Sequence, residues 1–267
     1  MPPGGLTRRR TMGDTGVMPA PDTDPARLPD RAARPQPAPS GIARGPRPAE
    51  DGVPAIALDG VSKRFGRELV LRELRLEMAP GRVAVLKGSN GAGKTTLLRM
   101  LATRLRPTRG RARVFGYDLQ RQGDEVRRRV ALLSVLGGNY AMLTARENLQ
   151  LATTLTGLHG ADVDAALARA GLAAVAGGLA HTFSSGMKKR LGLARLLLLD
   201  PPLWLLDEPF AALDEDGRRL LEDALTAARE RGRTVLMASH ELERSVRFAD
   251  AVLELVGGRL VRAGGPA

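Results

Sequence analysis

Cysteine is absent from the sequence, and aromatic side chains make up only 3% of it. Without cysteine the chain forms no disulfide, no thiolate metal site and no cysteine nucleophile, in agreement with a reducing compartment such as the cytosol. The shortage of aromatics, with basic residues scattered among acidic ones, removes the stacking platforms used by single-strand nucleic-acid binders. No nucleic-acid partner is therefore expected, despite a formal net charge of +12. That excess is mostly arginine and suits either compositional bias or a site beside an anionic membrane surface. Long apolar runs are also missing. Leu196–Leu199 and Leu203–Leu206 are separated by Asp200, Pro201 and Pro202, far short of the roughly 20 apolar residues that cross a bilayer. Any membrane function needs a separate partner chain.

From Met1 to about Pro54 the sequence is rich in proline, alanine, arginine and aspartate, without apolar periodicity. Such a segment buries too little surface to offset its ordering entropy and reads as a disordered tail, residues 1–54. The remainder, 55–267, suits one α/β domain. Ala55–Leu58 and Leu74–Met78 read as alternating strands, and Arg82–Leu86 as a short buried strand. A helix is expected from Lys94 to about Leu105, then a strand over Arg111–Val114, a helical piece over Asp124–Arg129 and a strand over Val130–Leu133. Thr144-Ala145-Arg146-Glu147 has the form of a capping box opening a helix to about Leu155, and a second helix spans about Val163–Ala170. These begin a helical insert of about 140–195. Beyond it, helices Gly186–Leu199, Gly217–Arg231 and Glu241–Phe248 alternate with strands Leu203–Leu206, Thr234–Ala238 and Ala251–Leu255. Parallel strands joined by helices are the simplest arrangement.

Between the strand ending near Leu86 and the helix opening at Lys94 stands Gly88-Ser89-Asn90-Gly91-Ala92-Gly93-Lys94-Thr95, a phosphate-loop pattern in its required strand-loop-helix context. The glycines let backbone N–H groups turn toward phosphates, and the helix adds its positive dipole end. Lys94 is the candidate for neutralising the β- and γ-phosphates of ATP, and Thr95 for holding Mg²⁺ through its hydroxyl. Thr96 completes the candidate contacts. Leu203-Trp204-Leu205-Leu206 delivers Asp207 and Glu208 at a strand's C-terminal end, where ligands collect in parallel sheets. Asp207 would hold Mg²⁺ through water, and Glu208 would act on the attacking water. Ser184 and Gly186, within Phe183-Ser184-Ser185-Gly186-Met187-Lys188-Lys189-Arg190, stand at a helix start suited to meeting a phosphate.

With the phosphate loop, this segment and the Asp-Glu strand in that order, the chain resembles the nucleotide-binding subunits of ATP-binding cassette (ABC) transporters from roughly Ala55 to Gly264. The resemblance implies a P-loop NTPase fold of ABC type: a mostly parallel central sheet with flanking helices, a small antiparallel β part and the helical insert. It also implies that Phe65 stacks on adenine, and that Ser184 and Gly186 are signature positions contacting ATP held by the opposite subunit. Ala211-Ala212-Leu213-Asp214 would be the D-loop at a dimer interface, and His240 a switch histidine at the γ-phosphate. ATP and Mg²⁺ would be bound, and a second cassette, identical or not, and integral-membrane permease subunits would be the partners. The expected location is the cytoplasmic face of the cell membrane. One expected residue is missing. The family's Mg²⁺-coordinating glutamine falls near Leu136, and leucine cannot ligate a hard cation. Asn139 from a shifted loop, water at the position, or slow hydrolysis are the alternatives. Ala211 likewise replaces a usual serine.

Within that family, the segment Ala102 to Gly110, the Phe-Ser-Ser-Gly-Met signature, Asp207-Glu208-Pro209-Phe210 and Ser239 to Arg244 resemble the ATPase subunit of haem exporters of cytochrome c biogenesis. The signature equally suits ATPases of drug or polysaccharide exporters. A soluble nucleotide-dependent regulator with weak hydrolysis is the reading that the missing glutamine leaves open.

Overall fold

Two sheets of different character organise the chain, and the computed structural model describes them over residues 52–134 and 138–262. The expected tail falls almost wholly, and Leu136 entirely, outside the described residues. The first sheet is antiparallel: β1 (Ile56–Phe65), β2 (Glu68–Met78), β4 (Arg109–Val114) and β5 (Tyr117–Asp118) lie in the order β2-β1-β4-β5. Its inward residues, among them Ile56, Leu58, Val61, Leu71, Leu74, Ala112 and Val114, are buried, while Arg109, Arg111 and Arg113 of β4 face out. This period-two division is what a sheet with one wet face requires.

The second sheet has the order β10-β9-β3-β8-β7-β6, with β3 (Val83–Lys87), β6 (Val130–Leu133), β7 (Leu203–Asp207), β8 (Thr234–Ala238) and β9 (Ala251–Val256) parallel. Only β10 (Arg259–Arg262), at the edge, runs antiparallel. All five residues of β7 and of β8 are buried, which explains their apolar runs Leu203–Leu206 and Val235–Ala238. One face carries α1 (Lys94–Leu101) in a core shared with the antiparallel sheet. The other face is covered by α5 (Ser185–Leu199) and α6 (Glu215–Glu230). A third cluster packs α3 (Ala145–Thr156) and α4 (Val163–Arg169) on the first half of α5 through Leu149, Leu167 and Leu191. Two short helices, α2 (Gly123–Arg127) and α7 (Leu242–Val246), complete the set.

Three expectations need correction. The first two strands are not short: β1 and β2 form a long hairpin whose register shifts between Leu58 and Val61 and again near Lys63. Those bulges break the period-two alternation on which a sequence reading depends. The first helix stops at Leu101 rather than near Leu105. Thr103 turns left-handed (φ 58°), its N–H reaches Met100 O (2.9 Å), and Arg104 N–H reaches Arg99 O (2.8 Å). These bonds form a Schellman ending, with threonine where glycine usually signals it. The last helix spans only Leu242–Val246 of the expected Glu241–Phe248, its final carbonyls being taken up by turns at Phe248 and Ala249.

Candidate functional site

Because β3, β6, β7 and β8 run parallel, their C-terminal ends open on one edge of the sheet, and the loops that follow meet there. The loop after β3 is residues 88–93. Gly93 precedes α1 with φ 104°, and a Cβ on it would lie 2.6 Å from Leu71 Cδ2, so neither the backbone nor the space admits a side chain. This forces the loop tight against β2 and leaves its N–H groups free of side-chain obstruction. Lys94 is nearly buried and folds back over the loop, its Nζ donating to Gly88 O (2.7 Å) and Ser89 O (3.1 Å). Ser89, Asn90 and Gly91 are exposed at the loop's rim, whereas Ala92 is buried.

Thr95 Oγ1 donates to Asp207 Oδ1 at 3.0 Å, bringing the first turn of α1 to the end of β7. A hydroxyl and a buried carboxylate side by side form an all-oxygen donor pair, which fits a small hard cation such as Mg²⁺ that retains several of its waters. Thr96 is the next residue of the same half-buried turn. Glu208 has a left-handed backbone (φ 47°), a conformation that a non-glycine residue keeps only under constraint. Its N–H donates to Ala238 O (2.9 Å), its Oε2 accepts the His240 N–H (3.1 Å), and His240 Nε2 lies 3.4 Å from Oε1. His240 Nε2 also lies 3.5 Å from Lys94 Nζ. The ammonium, the imidazole and the carboxylate thus converge from the start of α1 and from the loops after β8 and β7.

Ser184 and Gly186 are engaged elsewhere. Ser184 is the N-cap of α5, its Oγ accepting the Met187 N–H at 3.2 Å. Gly186 abuts the 211–214 turn so closely that a Cβ would lie 2.9 Å from Ala212 O. Asp214 caps α6 through Gly217 N–H (3.0 Å) and pairs with Arg190 of α5. The Arg190 hydrogen bond holds its carboxyl below the usual value of 3.8. Phe65, equally readable as core from sequence, is 44% exposed, with Lys63 Nζ 4.9 Å from its ring centre. It is an available aromatic surface. Asn139 Nδ2 donates to Lys188 O (2.7 Å), tying its loop to α5.

One buried polar residue at the site escaped sequence reasoning. Lys189 sits in a signature segment that reads as a basic surface, yet it is fully buried and donates to Ser134 O, Asp207 O and Glu208 O. Desolvation lowers its pKa to about 8, opposed by the charges of Asp207 and Glu208. The available signal was helical phase, since Lys189 shares a face with Leu193 and Leu196.

The ABC transporter family model matches residues 71–211, from within β2 to the first residue of the 211–214 turn. The chain is similar to the daunorubicin resistance ATP-binding protein DrrA3 of Streptomyces coeruleorubidus, at 38% identity over 79% of this chain and 68% of that protein. It is 36% identical to the bacitracin transport ATP-binding protein BcrA of Bacillus licheniformis over 75% of this chain and 66% of that one. The chain therefore spans about two thirds of the length of these relatives. Among solved structures, the dimeric post-hydrolysis state of the ATP-binding cassette MJ0796, bound to ADP and Pi, superposes with a TM-score of 0.70 at 26% identity. That match covers 79% of this chain and 98% of that one.

Proposed function

The chain belongs to the ABC transporter family, and from that premise we propose that it is the ATP-binding and ATP-hydrolysing subunit of an exporter for drug-like or peptide antibiotic cargo. The observation that carries the hydrolytic part is the convergence of Lys94 Nζ, His240 Nε2 and the Glu208 carboxylate within 3.5 Å steps. The 88–93 loop N–H groups and Lys94 hold the phosphates, Phe65 offers its exposed ring to the adenine, and Thr95 and Asp207 would hold Mg²⁺, which would supply charge neutralisation at the phosphates. Glu208 orients the attacking water, and His240, anchored to Glu208 at both its backbone and its ring, faces the γ-phosphate.

Ser184 and Gly186 serve the ATP of a second cassette, with the 211–214 turn at the same interface. No helix of the described residues is long and apolar enough to cross a membrane, so transport requires a permease. A groove lined by Arg104, Arg128, Tyr140, Leu155 and Arg195 beside the 138–140 loop suits its docking at the cytoplasmic face. The drug and antibiotic cargo is supported by what the two relatives are named for. The haem-export resemblance has no counterpart in those names, and none of the residues that carry it would touch a transported cargo. The test is to purify the tagged chain with its permease and compare stimulation of Mg·ATP turnover by an anthracycline, a cyclic peptide antibiotic and haem. Stimulation by either of the first two supports the assignment, and stimulation by haem alone overturns it.

A further inference from the structure

Lys189 lies one turn into α5 and is fully buried. Removing an ammonium group from water is costly, and a position that only had to be filled would accept leucine or methionine more cheaply. The three hydrogens of Nζ instead find three main-chain acceptors: Ser134 O at the end of β6 (3.2 Å), Asp207 O at the end of β7 (3.2 Å) and Glu208 O (2.7 Å). The donor is fully satisfied, and its shortest bond goes to the one residue of the three whose backbone is left-handed. Glu208 is thereby held on both sides, its N–H by Ala238 of β8 and its carbonyl by the helix that Ser184 and Gly186 open. A non-glycine residue stays at φ 47° only when its neighbours dictate it. Relaxation of that angle would swing the carboxylate away from His240 N–H and Nε2, with which it now bonds at 3.1 Å and pairs at 3.4 Å.

We propose that Lys189 is a positioning residue for ATP hydrolysis: its grip on the Glu208, Asp207 and Ser134 carbonyls holds Glu208 in the backbone conformation that aims its carboxylate. The same grip ties that aim to the signature helix, so a shift of α5 is felt at the hydrolytic carboxylate. This inference rests on the reading of the site as one that hydrolyses Mg·ATP. Lys189 meets Asp207 and Glu208 only at their main-chain carbonyls, so its loss is expected to act on turnover and not on affinity.

The test compares the full chain with Lys189→Met, which keeps the volume and removes every donor, and Lys189→Gln, which keeps two donors on a shorter arm. Turnover of Mg·ATP, its KM and the binding of a fluorescent ATP analogue are measured for each, with Glu208→Gln alongside. The expected order of kcat is wild type, then Gln, then Met, with Met at least tenfold below wild type and both KM and analogue affinity within twofold throughout. Wild-type kcat in the Met chain, or a fall in kcat matched by an equal loss of analogue binding, overturns the proposal. If the Met chain does not fold, the Gln chain decides: reduced kcat at unchanged KM supports positioning, and kcat equal to wild type refutes it. A wild-type chain that binds no ATP analogue and shows no turnover would overturn the underlying reading as well, whereas a hydrolysing wild type with an indifferent Lys189 overturns the inference alone.

Discussion

Lys94 bends its ammonium group back over the loop it terminates, and the loop tolerates this because Gly93 gives up its side chain to β2. A methyl group at Gly93 meets Leu71 2.6 Å away in a backbone with φ 104°. Gly93→Ala is accordingly expected to open the loop, lowering ATP affinity tenfold or more and the melting temperature by several degrees, as read by nucleotide titration and thermal unfolding. The phosphate loop was fully legible in the sequence, since its residues are contiguous and its chemistry is that of the backbone. The meeting of Glu208 with His240 was legible only in part. Each residue follows its own strand, and the adjacency of β7 and β8 that joins them is a long-range property. Lys189 was missed because charge in a helical sequence ordinarily means solvent, and burial is affordable here only through three carbonyls drawn from two distant strands.

At the level of single elements, helix starts carried clearer signals than helix ends or strand lengths. Thr144 and Glu147 do form a reciprocal capping box: Glu147 N–H donates to Thr144 Oγ1 (3.1 Å) and Thr144 N–H to Glu147 Oε2 (2.8 Å). Thr144→Ala removes half of it, which should cost about 1 kcal/mol and lower the melting temperature by about 2–4 °C. ATP turnover of the isolated chain is expected to stay unchanged. The end of α1 was misplaced because Thr103 adopts a backbone that sequence readers assign to glycine, and the hairpin was shortened because bulges shift its pattern. Asp214 adds a pH dependence at the start of α6. Its folded pKa lies below 3.8, so its bonds to Arg190 and Gly217 contribute in full at neutral pH and are lost as pH falls through that lowered value. Asp214→Asn should therefore narrow the difference in melting temperature between pH 6 and pH 3. The change is small, because the carboxylate is largely exposed.

Considered whole, the described chain places its chemistry on the edge where five parallel strands end and leaves the antiparallel sheet to close the core over α1. That architecture was legible as a class, because buried apolar strands alternating with helices admit few alternatives. The order β10-β9-β3-β8-β7-β6 was not, since nothing local distinguishes one buried strand from another. The single tryptophan, Trp204, is fully buried in the middle of β7, so its emission reports the integrity of this sheet. Mg·ATP at about a hundred times its Kd should stabilise the wild type by about 2.7 kcal/mol, shifting the Trp204 transition upward by about 5–10 °C. Lys94→Ala should show no such shift. Likewise, Leu136→Gln, which puts in the glutamine that the family resemblance implies at that position, is expected to raise turnover without changing the Trp204 transition.

The most direct measurement is steady-state phosphate release from Mg·ATP by the full chain, set against Glu208→Gln at equal nucleotide occupancy. Catalytic release by the wild type is expected, with a fall of about a hundredfold or more in the variant and ATP affinity within twofold. Equal release by the two proteins would contradict the hydrolytic reading.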